Sequence, residues 1–262
     1  DNRRRLLENP ALILEEITTN QATFTQRDIL RAIQKRMGDD DRLIAQVFEG
    51  ALQASLVVGE CMDGLSRYTS SSYKQLEENV VKQTEALATQ AYSQNKVSEK
   101  IICKALTSSS IELSEEQQTA VRGLVGSQQL SVLVGRAGAG KTTTLRMVAD
   151  VYQRAGHQVI GTSLAALAAE NLENEAKIPS HTLQSWLVRW KAYEEAQEKF
   201  LSFDAIVSEG VLKQFEWYQD LKRYEHAALT DKHVLLIDEA GMIGTEKWAE
   251  LQRYAVKAGA KV

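Results

Sequence analysis

The sequence predicts an α/β fold, in which a parallel sheet carries helices on both faces, preceded by a small and mainly helical domain. Three observations predict it. From Leu113 onward, short apolar segments such as LSVLVG and HVLLID alternate with longer amphipathic segments such as KTTTLRMVADVYQRAG. Segments that are apolar throughout are typical of strands buried between two layers of helices. The residues before Leu113 show mainly helical patterns and none of this alternation.

The first part of the chain, residues 1–72, is predicted to form a helical accessory domain. In TFTQRDILRAIQKRM, Thr25 can cap a helix whose apolar face contains Ile33 and Met37. LVVGECMDGLSRYTS then changes to strand character around a turn at MDGL. Helices followed by a hairpin are the order of a winged-helix domain. A packing domain that binds no ligand is the other interpretation.

Two further segments follow the accessory domain. Residues 73–110 are polar and helical in pattern and are predicted to form a connector that ends at the composition break LTSSSIELS. Residues 111–262 are predicted to form the α/β domain. Within it, about 191–229 is longer than a connection between neighbouring elements needs, and its pattern predicts a helical insertion. Its aromatic residues are expected to pack against one another within the insertion.

Composition restricts the class of protein. The chain has 262 residues, 44% of them hydrophobic, and a net charge of −4, so any nucleic-acid surface must be a local patch. No apolar run reaches the ~20 residues that a membrane span needs, and no signal-peptide core is present. We therefore predict no membrane span and a cytoplasmic location. Cys61 and Cys103 lack the spacing of a metal site or a disulfide framework and are expected to be reduced thiols.

The stretch VGRAGAGKTTTL contains the pattern G-x-x-x-x-G-K-T between a predicted strand and a predicted helix. In such a loop the glycines let backbone N–H groups point at a phosphate, and the helix N-terminus adds its dipole to the same anion. Lys141 is predicted to reach the β- and γ-phosphates of ATP, and the Thr142 hydroxyl to bind Mg²⁺. The predicted nucleotide-binding residues of this loop are Gly135, Arg136, Ala137, Gly138, Ala139, Gly140, Lys141, Thr142 and Thr143.

A second part of the site is predicted in VLLIDEAGM. Asp238 follows a buried strand, and open α/β sheets bind their ligands at the carboxyl ends of the strands. We predict that Asp238 holds Mg²⁺, through the water molecules of its shell, and that Glu239 acts as the base that orients or deprotonates the attacking water. Lys141 and Glu239 are therefore the predicted catalytic residues.

Further motifs give the chain a family resemblance. LSEEQ, some twenty residues before the phosphate loop, resembles a motif of superfamily 1 helicases, and that resemblance implies that Gln117 recognises adenine. Ser114 and Gln117 also form a helix-capping pattern, which holds under either interpretation. GRAGAGKT together with DEAGM resembles the RecD-like branch. VIGTSLAALAAENLE, IPSHTLQSW and LLIDEAGM are most similar to the helicase region of MobA/TraA-type conjugative relaxases.

This resemblance implies the first RecA-like P-loop ATPase domain of a helicase that unwinds DNA during plasmid transfer, with ATP and Mg²⁺ as cofactors. The implied partners are single-stranded DNA and a second RecA-like domain, which we expect this chain to lack together with the later helicase motifs. Little or no activity is then expected from the chain alone. Thr162, Ser163 and Thr182 are candidates for contacts with the DNA backbone. Leu167 stands where the family usually has a lysine, so a weaker DNA contact is expected.

Other functions stay open on the sequence. A RecD-type exonuclease or recombination helicase subunit would carry the same motifs. A degenerate nucleotide-binding module would keep the loop without turning ATP over. The relaxases to which the chain is similar nick DNA with a cluster of metal-binding histidines. The four histidines of this chain are scattered, so no nicking activity is predicted.

Overall fold

A computed structural model describes residues 2–38, 40–60, 64–89, 97–136, 138–201, 216 and 218–262. The chain divides into two compact units, Asp1–Val81 and Lys82–Val262. Each has a hydrophobic core of its own. No helix among the described residues is both long and apolar enough to cross a membrane.

The first unit contains helices followed by a β-hairpin. Its elements are α1 (Asn2–Glu8), α2 (Leu12–Thr18), α3 (Gln26–Met37), α4 (Asp41–Ala54), β1 (Ser55–Glu60) and β2 (Ser66–Ser70). The predicted cap is confirmed, because the Thr25 backbone N–H donates to Asp28 Oδ2 (2.9 Å) at the start of α3. An antiparallel bridge between Phe24 and Tyr68 adds a short third strand to the hairpin. The mainly helical nature predicted for this region is thus confirmed.

The remaining elements alternate between helices and strands. They are α5 (Ser71–Thr89), α6 (Glu99–Ser108), α7 (Glu115–Leu124), α8 (Lys141–Arg154), β3 (Gln158–Ser163), α9 (Ala166–Ala176), β4 (Ser180–Thr182), α10 (Leu183–Leu201), β5 (His233–Ile237), a 3₁₀ turn at Ala240–Met242 and α11 (Thr245–Ala258).

The sheet of the second unit is parallel, with strand order β4-β3-β5. Its order continues beyond β5, because Lys261 forms a parallel bridge with Val234. The next segment is joined by two hydrogen bonds: Val262 N–H donates to the Gln129 carbonyl (2.8 Å) and Ser131 N–H donates to the Val262 carbonyl (3.0 Å). The segment that leads into the phosphate loop therefore runs parallel to β5, two strand positions away, with residues 261–262 between them.

Helices cover both faces of this sheet, as predicted. Alternate residues of β5 point to opposite faces. Val234 and Leu236 enter a core with residues of α6, α7, α8 and α9. Leu235 enters a second core with residues of α10 and α11, including Trp186. The α/β architecture with a doubly covered parallel sheet is therefore confirmed.

Two predicted features differ from the structure or lie partly outside it. Residues 131–136 form no strand, because beyond Ser131 no hydrogen bond joins their backbone to another strand in the described part of the chain. Within the predicted insertion, α10 runs to Leu201, and residues 218–225 are helical again. The rings of Phe200 and Tyr218 pack with their centroids 6.0 Å apart. The other aromatic residues of the insertion core, Phe203, Phe215 and Trp217, lie outside the described residues.

Candidate nucleotide-binding site

The predicted phosphate loop, which ends at Gly140, owes its shape to two glycines in the left-handed backbone region. Gly138 has φ +76° and Gly140 has φ +74°, conformations that side chains with a Cβ rarely adopt. Gly140 is the N-cap of α8, and its carbonyl accepts the first hydrogen bond of the helix, from Thr144 N–H (3.0 Å). Ala137 lies outside the described residues. The predicted sequence of loop followed by helix is therefore present at the predicted residues.

Lys141 folds back over this loop. Its Nζ donates to the carbonyl oxygens of Gly135 and Arg136, each at 3.1 Å. The first turn of α8 contains no acidic residue. The positive end of the helix dipole is therefore not neutralised from within the helix, and an anion can be stabilised there. The lysine and the helix N-terminus together offer positive charge to the space that the loop surrounds.

The hydroxyls that follow the lysine differ in their partners. Thr144 Oγ1 donates to the Gly140 carbonyl (3.1 Å), which ties the buried Thr144 to the loop. Thr142 and Thr143 are half-buried, and within the described residues no hydrogen bond occupies the Thr142 hydroxyl. A hydroxyl in that position at a helix N-terminus can act as a ligand of the Mg²⁺ that accompanies a bound nucleoside triphosphate.

The carboxylates lie at the carboxyl end of β5. Asp238 N–H donates to the Thr162 carbonyl (3.0 Å), so the side chain of Asp238 emerges directly beyond the parallel ladder. Glu239 is exposed and has φ +55° and ψ +39°, a left-handed conformation for a residue with a Cβ. Its N–H donates to Asp238 Oδ1 (3.0 Å). Because these strands are parallel, the carboxylates and the phosphate loop lie at the same edge of the sheet.

Gln117 joins a further element to the loop. Its Oε1 accepts from Ser114 N–H (3.0 Å), and its own N–H donates to Ser114 Oγ (3.2 Å), which completes the predicted cap of α7. Its Nε2 donates to the carbonyl of Ala139 in the phosphate loop (3.3 Å). A Cβ at Gly140 would meet the same Nε2 atom, so the glycine leaves room for the glutamine. Gln117 therefore lies against the phosphate loop.

Comparison with known proteins agrees with this geometry. Residues 112–262, more than half of the chain, match the AAA domain family. The chain belongs to that family. Along its whole length it is also 30% identical to the conjugal transfer protein TraA of Rhizobium radiobacter, and 28% identical to the probable conjugal transfer protein TraA of Sinorhizobium fredii. The chain spans 21% of the length of either relative. The resemblance to MobA/TraA-type conjugative proteins, predicted from sequence, is confirmed.

Within the AAA domain, the three hydroxyl residues predicted to contact DNA are in different environments. Thr162 and Ser163, at the carboxyl end of β3, are 0% and 1% exposed, and neither hydroxyl has a partner among the described residues. Thr182 is half-buried, and its Oγ1 accepts from Ser185 N–H (3.2 Å) at the start of α10. Direct DNA contact by Thr162 or Ser163 would therefore require their exposure.

The AAA domain also contains a supporting contact between two of the quoted motifs, VIGTS and IPSHTLQSW, for whose residues Gly161 and Trp186 the sequence predicts no role. Trp186 Nε1, in α10, donates to the Gly161 carbonyl of β3 (3.0 Å). A Cβ at Gly161 would collide with Ser180 and Leu172, so only glycine lets β4 and α9 approach β3 this closely. The sequence feature that could have predicted this close packing is the glycine inside the apolar strand VIGTS, since a glycine within a strand often marks a close approach of another segment.

Proposed function

We propose that this chain is the ATP-binding first motor domain of a RecD-like DNA helicase, within a conjugative relaxase-helicase that acts in the cytoplasm. The observation that carries the proposal is the shared position of the Lys141 loop and the Asp238–Glu239 pair at one edge of a parallel sheet. The family match supports nucleotide binding, and the similarity to conjugal transfer proteins over the whole chain supports the biological setting.

Each side chain of the site has a proposed task. Lys141 leaves the carbonyls of Gly135 and Arg136 and donates to the β- and γ-phosphate oxygens of ATP. Thr142 and Asp238 hold Mg²⁺, which neutralises phosphate charge when it is bound. Glu239 orients the attacking water and accepts its proton. The other proposed loop contacts to the phosphates are made by backbone N–H groups of Gly138, Gly140 and their neighbours.

Gln117 is proposed to bind adenine while it keeps both of its present contacts. Its carbonyl oxygen has two lone pairs and its NH₂ has two hydrogens. Ser114 N–H occupies one lone pair and the Ala139 carbonyl takes one hydrogen. One acceptor and one donor therefore remain, which is the pair that the edge of an adenine requires.

The DNA partner follows from the resemblance to the conjugative helicases. Single-stranded DNA is proposed to cross the carboxyl edge of β3 and β4, near Thr162, Ser163 and Thr182. A second RecA-like domain is proposed to supply an arginine to the γ-phosphate. The absence of such an arginine slows hydrolysis by about 10³-fold or more, so the chain by itself is expected to bind ATP and turn it over slowly.

The test is a titration with a fluorescent ATP analogue and Mg²⁺, together with phosphate release with and without single-stranded DNA. Lys141→Ala is expected to weaken nucleotide binding about tenfold or more, because charge-assisted contacts to phosphate are lost. Lys104→Ala, an exposed lysine on α6, is the control and should bind as the unchanged chain does. Equal binding by Lys141→Ala and the unchanged chain would overturn the assignment of the loop. DNA-stimulated turnover by this chain alone would overturn the need for a second domain.

A further inference from the structure

The first unit carries a row of positive charge on α3. Arg27, Arg31 and Lys35 occupy positions i, i+4 and i+8 and are all exposed. Residues at this spacing lie on one face of a helix, with about 6 Å of rise between successive members. We call these three residues the α3 basic stripe. It extends over about 12 Å of the helix surface.

Among the described residues, neighbouring carboxylates offset the stripe only in part: the charge of Asp28 interacts with that of Arg31, and two glutamates pair with cations outside the stripe. Glu16 accepts two hydrogen bonds from Arg36 (2.7 and 3.2 Å). Glu8 accepts from Arg4 (2.9 Å). Among the residues that the structure describes, no carboxylate oxygen lies within ion-pair distance of a stripe cation.

Asp28, the carboxylate nearest to the stripe in sequence, caps the N-terminus of α3. It accepts from the Thr25 backbone N–H (2.9 Å) and hydroxyl (2.8 Å) at the start of α3. Three like charges at four-residue spacing repel one another on a helix. The stripe therefore adds positive field to the surface at the cost of this mutual repulsion.

The surface that carries the stripe is rigidly supported. On the opposite face of α3, Ile29, Ile33 and Met37 are at most 1% exposed and belong to the core of this unit. At the start of the helix, Gln26 Nε2 donates to the hydroxyl of Tyr68 in β2 (2.8 Å). Because the buried face and the start of α3 are both anchored, the three stripe residues project from a well-packed helix.

The hairpin extends the positive surface. Arg67, beside Tyr68 in β2, lies close enough to Asp28 that the two charges interact. The strand that carries Arg67 approaches the start of α3, because Gln26 Nε2 donates to the hydroxyl of the adjacent Tyr68. The positive surface continues from the helix onto the neighbouring strand.

The chemistry of this surface favours a nucleic acid as its partner. Between the cations lie the exposed side chains of Gln34 and Leu30, and apart from Leu30, which is 38% exposed, this face is polar and positive. Protein–nucleic acid interfaces have this composition, whereas the centre of a protein–protein interface is depleted in charge. The net charge of the whole chain is −4, so attraction to a polyanion must come from a local surface of this kind.

We propose that the α3 basic stripe binds the phosphodiester backbone of DNA, as a second contact separate from the nucleotide site. That the partner is DNA rests on the proposed function. The new part of the proposal is a DNA-binding surface on the first unit. Each stripe cation contacts one phosphate without reading the base sequence. The backbone of a duplex and that of a single strand offer the same chemistry, and the salt dependence distinguishes them.

The test measures the fluorescence anisotropy of labelled DNA, duplex and single-stranded, with the full chain between 50 and 200 mM salt. The stripe variant is Arg27→Gln/Arg31→Gln/Lys35→Gln, because glutamine retains the helix propensity of arginine and lysine. A matched control, Lys74→Gln/Lys82→Gln/Lys100→Gln, removes the same charge from exposed positions on α5 and α6. Equal thermal midpoints of the three proteins show that all of them are folded.

The unchanged chain is expected to lose more affinity with salt than the stripe variant. The slope of log affinity against log salt should differ by about 2.7 on a duplex or about 2.1 on a single strand, if three phosphate contacts are lost. Between 50 and 200 mM salt this corresponds to about a 40-fold or about an 18-fold difference, respectively. The slope of the control triple variant should stay within about 1 of the unchanged chain.

Four results would overturn the assignment. The stripe variant and the unchanged chain could show the same slope, or the control could lose as much affinity as the stripe variant. Equal affinity of the unchanged chain for polyglutamate and for DNA would assign the stripe to an acidic polypeptide instead. Absence of DNA binding by the unchanged chain would overturn both this assignment and the DNA partner of the proposed function. The ATP titration tests the nucleotide site independently of all these results.

Discussion

The side-chain amide of Gln117 donates to the backbone carbonyl of Ala139 over 3.3 Å, and this bond joins the first turn of α7 to the phosphate loop. The same amide caps α7 through Ser114. One side chain thus fixes the helix start and the loop relative to each other. A substitution at Gln117 is therefore expected to affect both the loop and the base that the remaining amide groups would bind.

We expect Gln117→Ala to weaken ATP binding and to reduce the preference for ATP over GTP by about fivefold to tenfold. Loss of one or two neutral hydrogen bonds costs about 1 kcal/mol, which sets this magnitude. Gln118→Ala is the matched control, because the Gln118 side chain donates to the Leu113 carbonyl (3.1 Å) and not to the loop. Competition titrations with both nucleotides measure the preference. An unchanged ATP/GTP ratio in Gln117→Ala would contradict adenine recognition.

Glu239 combines a proposed catalytic role with an unfavourable backbone conformation. A left-handed conformation costs a residue with a Cβ about 1–2 kcal/mol relative to glycine. We expect Glu239→Gly to be about 1 kcal/mol more stable than Glu239→Ala, although both variants lose the carboxylate. Urea denaturation measures the difference. Equal stability of the two variants would show that the conformation at φ +55° carries no strain.

The nucleotide loop could be predicted from sequence because its pattern is local. Gly135 to Thr142 lie within one short stretch that ends in the first turn of α8, and residue types alone indicate how such a loop and helix start fold. The contact between Gln117 and Ala139 joins residues 22 positions apart, so it depends on the packing of α7 beside the loop. The left-handed conformation of Glu239 could not be predicted from the sequence either, since no glycine marks that position.

The segment 131–136 shows the limit of the apolar pattern. Its residues predict a strand, yet Val132 and Val134 are 74% and 90% exposed. A strand is defined by its hydrogen-bonded neighbour, and within the described part of the chain Ser131 alone of this segment has one, at Val262. The pattern therefore predicts the tendency to extend, and the neighbouring chain decides whether a ladder forms.

Acidification is expected to destabilise the second unit through its buried histidines. His233 is 8% exposed, and its Nδ1 accepts from Thr230 N–H (3.1 Å). A protonated imidazole has two donors and no acceptor, so protonation would break this bond. Burial lowers the pKa of His233 and of His157 below 6.5. The folded state therefore favours the neutral rings. The neutral rings contribute fully to the stability of the fold above pH 6.5, and this contribution is lost as the pH falls below 6.5.

Urea midpoints at pH 7.5, 6.0 and 5.0 measure this loss. His233→Asn is the informative variant, because its Oδ1 can accept from Thr230 N–H and does not titrate in this range. We expect it to lose less stability between pH 7.5 and 5.0 than the unchanged chain, while His157 and His181, whose pKa values are also lowered by burial, continue to contribute to the dependence. An identical loss in both proteins would exclude His233 as a source.

Glu194 joins α10 to α11 through charged hydrogen bonds. Arg253 donates to both of its carboxylate oxygens at 3.0 Å, and Lys257 donates to one of them at 2.5 Å. The Glu194 side chain is 18% exposed, so water screens these contacts only in part. We expect Glu194→Gln to lower the free energy of unfolding by about 1–2 kcal/mol at pH 7. Glu195→Gln is the control, since Glu195 is more exposed and its nearest cation, Lys191 Nζ, is 4.0 Å away.

The pH dependence of this difference identifies its cause. Hydrogen bonds from Arg253 and then Lys257 lower the pKa of Glu194 from 4.5 to about 2. The carboxylate therefore stabilises the fold fully above pH 4.5, and the contribution is lost as the pH falls towards 2. The difference between Glu194→Gln and the unchanged chain should be constant from pH 7.5 to 5.0, where the histidines titrate, and should shrink below pH 4.5. A difference that already shrinks between pH 6.5 and 5.0 would contradict the low pKa of Glu194.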